Sequence, residues 1–163
     1  SIWVGGLYDG KIRLPAYRQG FKETDLRAAA THEMTHAFVA SISGMRAPAW
    51  IHEGLAQYEQ NKVQPVDITI FNAALRAKSL MPMDRLLSET LQMDKMNPLE
   101  VALFYQEVFM LVRYMIERYQ MYRMKEILVK FKEGKQAEQA IEEVLGISTG
   151  QLEKEWLATL PRS

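Results

Sequence analysis

Apolar and polar positions along this 163-residue chain change rhythm once, near residue 24. Ahead of that point, I-W-V-G-G-L-Y and K-I-R-L-P flank Asp9-Gly10, a dipeptide that supplies the positive φ angles of a tight hairpin turn. Two short strands are predicted there. From about Thr24 the pattern turns helical, and A-A-A-T-H-E-M-T-H-A-F-V-A-S runs without a breaker to Gly44, which is suited to end a helix. S-G-M-R-A-P reads as a turn, and Pro48 suits the start of a second helix, A-W-I-H-E-G-L-A-Q-Y-E-Q. Gly54 inside that helix costs about 1 kcal/mol relative to alanine, so it signals a packing need. Beyond Pro65 the chain reads as helix almost throughout. A short helix is expected near Asp67, a single turn at M-D-R-L-L and a long apolar-rich helix from about Leu99 to Tyr119. M-K-E-I-L-V-K-F and A-E-Q-A-I-E-E-V-L follow, ending at Gly146, and Ser148 with Gln151 predicts a capping box before Q-L-E-K-E-W-L-A-T-L. The expected architecture is one α+β domain over 1–163, mostly helical. It has a small N-terminal β-hairpin or sheet, then a helix pair, then a C-terminal helical bundle.

Composition narrows the function classes. Acidic and basic residues number 20 each, so no charge excess points to nucleic acid or anionic lipid. There is no cysteine, which excludes disulfides and thiolate metal ligands and leaves the redox compartment open. The most apolar stretch, V-A-L-F-Y-Q-E-V-F-M-L-V-R-Y-M-I, carries Gln106, Glu107 and Arg113 and does not read as a membrane span. The chain opens on Ser1 and runs straight into strand-like residues, so a domain cut from a longer protein is expected, with other domains and any targeting segment lying outside it.

The chemistry concentrates in A-T-H-E-M-T-H-A-F-V, which holds two of the three histidines. Helix positions i and i+4 share a face, so His32 and His36 can aim their imidazoles at one ion. Glu33 lies about 100° round the helix, beside that ion, where a general base for an activated water belongs. The pattern specifies only three of five positions and arises by chance, so a third ligand has to be found. Asp25 sits two turns before the histidines and cannot reach. Glu53 can: the first helix climbs roughly 10 Å from His36 to Ser43, the turn reverses, and the second descends roughly 7 Å from Pro48 to Glu53.

H-E-M-T-H followed by P-A-W-I-H-E-G-L-A-Q-Y resembles the gluzincin metallopeptidases, in which a W-x-x-E-G-x-A segment on the next helix supplies the third zinc ligand. The nearest likeness is to small bacterial peptidase-MA-like domains, with the L-Y-D-G-K-I-R-L-P lead-in and a less specific tail shared as well. The resemblance implies a zincin-like fold and a zinc-dependent peptidase in which His32, His36 and Glu53 bind zinc and Glu33 is the base. It further implies a peptide or protein substrate and an extracytoplasmic setting, secreted or membrane-tethered. His52 stands where larger relatives carry asparagine; about 100° from Glu53 on the helix, it is expected as a cleft-edge or hydrogen-bonding residue. Gln57, one turn past Glu53, stands where some relatives place a carboxylate that orients a ligand histidine. By the same resemblance Tyr105, at the start of the helix behind the site, is a candidate oxyanion donor; simple packing of the ring is equally compatible. A substrate strand is expected along I-W-V-G-G-L-Y, with Gly5 and Gly6 allowing close backbone approach, or else a plain bulge. The ten methionines are expected mainly as core filler, and Trp50 and Trp156 as packing anchors. The competing function is a catalytically silent peptide-binding module on the same fold.

Overall fold

Lys22 leads into the first helix, its backbone N–H bonded to Asp25 Oδ2 at 2.9 Å. The structure, a computed structural model, describes residues 22–161 and contains eight α-helices, one 3-10 turn and no strand among them. The expected hairpin, with Gly5 and Gly6, lies outside the described residues. The helices are α1 (Glu23–Ser43), α2 (Ala49–Asn61), α3 (Thr69–Ala77), α4 (Met83–Leu86), α5 (Pro98–Tyr119), α6 (Met121–Lys132), α7 (Ala137–Leu145) and α8 (Thr149–Thr159). The 3-10 turn, Met93–Lys95, precedes α5.

Local chemistry accounts for the boundaries. α1 stops at Gly44, whose φ of 61° is left-handed and whose N–H returns to Ala40 O. Extended backbone at Pro48 then opens α2. α3 begins at Thr69, two residues later than its pattern suggests, because Asp67 Oδ1 accepts the Thr69 N–H at 2.9 Å and works as a start signal outside the helix. α5 carries a capping box that the apolar pattern concealed: Asn97 Oδ1 accepts from Glu100 N, and Glu100 Oε2 accepts from Asn97 N, both at 3.0 Å. The box expected at α8 is half present. Ser148 Oγ accepts the Gln151 N–H at 3.2 Å, but the Gln151 side chain turns the other way and bonds Glu155.

α2 lies between α1 and α5, which are its two main packing partners. Residues Trp50 to Gln57 are all buried, as expected of a helix covered on every side. Gly54 is the contact point with α5. A Cβ there would collide with Val112 Cγ2 and come within 2.8 Å of Val108 O. The glycine's helix penalty thus permits a closer approach of the two helices. Around this centre α6 packs on α1 and α7, α3 on α5, and α8 on α4 and α7. Trp50 meets Phe131 edge-on at 6.3 Å between ring centroids, and Trp156 meets Phe71 at 6.2 Å, so both tryptophans anchor helix contacts. The methionines divide: Met81, Met83, Met115 and Met124 are core, whereas Met34, Met45 and Met121 are exposed.

Two polar residues inside the apolar run of α5 tie down its neighbours. Gln106 Oε1 accepts the Phe71 N–H at 2.8 Å, and Glu107 Oε1 accepts the Met81 N–H at 2.9 Å. Burial pushes the Glu107 carboxyl up to about 8, against smaller opposing effects of Met81 N–H and Arg85. No helix among the described residues is long and apolar enough to cross a membrane.

Candidate metal centre

The return of α2 along α1 brings the polar residues of both helices into one seam. His32 and His36 stand one turn apart with ring centroids at 4.8 Å and planes nearly perpendicular. Their Nε2 atoms are 3.1 Å apart. Glu53 faces both, with Oε2 at 3.5 Å from His32 Nε2 and Oε1 at 3.7 Å from His36 Nε2. One ligand atom from each of the three residues fits within 4.8 Å of the others. Asp25 is elsewhere, accepting from Lys22 N and Gln64 Nε2.

The outer nitrogens of both rings are engaged from α2. His32 Nδ1 is 2.9 Å from Gln60 Oε1, and His36 Nδ1 is 3.4 Å from His52 Nδ1. Both imidazoles therefore turn Nε2 inward and Nδ1 outward. His52 is 9% exposed and stands against His36, with ring centroids 5.5 Å apart.

Electrostatics differ between the three histidines. Burial pulls the His32 pKa down, but the hydrogen bond and charge of Glu53, with help from Gln60 and Glu33, outweigh it, and the net shift is upward. In His36 burial prevails over the attraction of Glu53, with His32 adding to it, so the shift is downward. His52 is pushed down to about 4 by burial and by His36. A neutral imidazole has one N–H, and a carboxylate has none. Two inward nitrogens and two carboxylate oxygens thus converge with too few hydrogens to satisfy one another. Such a set of lone pairs suits a divalent cation, and two imidazoles with one carboxylate are a donor set that zinc accepts.

A family model described as the peptidase MA superfamily matches residues 22–161. The chain belongs to the peptidase MA superfamily. No curated protein and no solved structure matches it significantly. Within this peptidase MA domain, Glu33 follows His32 directly, is half-exposed, and its charge acts on both His32 and His36. Tyr105 lies on α5, the helix packed against α2; its backbone oxygen accepts from Gln57 Nε2 at 2.8 Å and its ring meets Phe104 edge-on at 5.9 Å. Gln57 is thereby committed to α5 and not to a histidine. The partner of His32 is Gln60, a residue the sequence did not single out. Its signal was its spacing, since seven residues past Glu53 is two helical turns on the same face.

Proposed function

We propose that this domain is a zinc-dependent peptidase of gluzincin type, with His32, His36 and Glu53 holding the metal and Glu33 acting as general base. The observation that carries this reading is the convergence of the two Nε2 atoms and the Glu53 carboxylate, with Glu33 beside them, in a peptidase MA superfamily chain. Zinc, when bound, supplies Lewis acidity to a peptide carbonyl and to a water. Glu33 takes the proton from the attacking water as the C–O bond forms. It returns that proton to the amide nitrogen as the C–N bond breaks, leaving a carboxylate and an amine. Tyr105 is assigned the role of hydrogen-bond donor to the developing oxyanion. The substrate is a peptide or protein segment.

Replacing Glu33 by Gln tests the proposal. Peptide hydrolysis is expected to fall about a hundred- to ten-thousand-fold, with zinc retained, because only the proton carrier is lost. Undiminished cleavage in the variant overturns the mechanism. A wild-type protein that binds peptides and zinc without turnover identifies a silent binding module instead. Tyr105→Phe separates its two roles: an oxyanion donor gives a loss of about 10²–10³ in kcat at unchanged stability, whereas a packing residue leaves kcat in place.

A further inference from the structure

Binding metal through Nε2 requires that each ligand imidazole carry its proton on Nδ1, and something must hold it there. For His32 that group is Gln60. Its Oε1, 2.9 Å from His32 Nδ1, only accepts hydrogen bonds, so the proton sits on Nδ1 and the Nε2 lone pair is directed toward His36 and Glu53. Gln60 stands in the last turn of α2, on the face that also presents Glu53. The other polar side chains nearby have different commitments. Gln57 bonds the Tyr105 carbonyl, Glu59 pairs with Lys62 at 2.8 Å, and Asn61 Oδ1 accepts from Val66 N at 3.0 Å.

We propose that Gln60 is a positioning residue of the metal centre, fixing the tautomer and ring angle of His32 with a neutral amide. The proposal rests on the reading of His32, His36 and Glu53 as ligands. The neutrality of the partner matters, because Glu33 and Glu53 already bring two carboxylates close to the histidines. A carboxylate in place of Gln60 would make His32 a stronger donor and add a third negative charge. The amide orients the ring without that addition, and the bound cation keeps more of its Lewis acidity.

The test is zinc affinity of the full 163-residue chain, measured by chelator competition for wild type, Gln60→Met and Gln60→Glu. Methionine keeps the length of the side chain and removes the acceptor, so zinc is expected to bind about 10–100-fold more weakly, with helical content unchanged. Glutamate keeps an acceptor and is expected to bind zinc at least as tightly as wild type. In the zinc-free protein above pH 8, imidazole ¹⁵N spectra are expected to show His32 protonated at Nδ1 in wild type and a mixture of tautomers in Gln60→Met. Wild-type affinity in Gln60→Met overturns the role of Gln60 while leaving the metal centre intact. Equal weakening in both variants also overturns it, since packing rather than an acceptor would then be at stake. A wild-type chain that binds no zinc overturns the underlying metal-centre reading, and the inference with it.

Discussion

Among the described residues two glutamates are buried, and they illustrate opposite uses of the same side chain. Glu53 on α2 is 7% exposed and faces two imidazoles, each with its Nε2 turned inward. Glu107 on α5 is fully buried, takes one hydrogen bond from Met81 N and has no partner for its other oxygen. Burying an ionised carboxyl is costly unless another group shares the charge. Glu107 meets that cost by staying protonated, its pKa pushed up to about 8, and serves the fold by tying the chain ahead of α4 to α5. Glu53 instead has neighbours that can share a cation with it. Burial alone therefore does not mark a functional carboxylate; the chemistry of the groups facing it does.

This contrast can be broken experimentally, beginning with the largest effect. Glu53→Ala is expected to weaken zinc binding by well over the ~10–100-fold that loss of an outer partner causes, while Glu107→Gln leaves metal affinity unchanged. Equal metal affinities in the two variants would erase the distinction. The second effect lies in the pH dependence of stability. Because the folded-state pKa of Glu107 is raised, the folded protein holds a proton that the unfolded chain has released between about pH 4.5 and 8. Its contribution to stability is therefore complete below about pH 4.5, is lost as pH rises toward 8, and changes no further above that. The slope is on the order of 1 kcal/mol per pH unit and should vanish in Glu107→Gln, as read from urea midpoints across that range. A wild-type profile no steeper than that of the variant contradicts a protonated Glu107. The smallest effect probes the scaffold both glutamates share. Gly54→Ala pushes α2 away from Val108 and Val112 and should reduce unfolding free energy by roughly 1–3 kcal/mol. Since Glu53 is the adjacent residue, weaker zinc binding is expected to accompany that loss.

The frame of the site was readable in the sequence because helical rise is fixed and the α1–α2 turn is short. Gly44 and Pro48 mark where α1 ends and α2 begins, and with those two points known the height at which Glu53 returns is arithmetic. Gly54 announced a close helix contact, although its partners Val108 and Val112 come from a helix some fifty residues away and had no local signature. What the sequence does not display depends on side-chain direction. Gln57 and Gln60 are one turn apart and chemically identical, yet the first reaches back to α5 and the second reaches His32. Only the packing of α2 between two helices separates them. Gln106 and Glu107 were legible as reasons against a membrane span, but their backbone partners on α3 and ahead of α4 are set by tertiary structure. Asn97 and Glu100 form their cap at the edge of an apolar run that draws attention away from it.

The measurement that bears most directly on the account is metal content and zinc stoichiometry of the purified domain. About one equivalent of zinc per chain, retained in Glu33→Gln and lost in Glu53→Ala, is the predicted result. Less than about half an equivalent after equilibration with zinc, in a chain shown by circular dichroism to be folded, would contradict it.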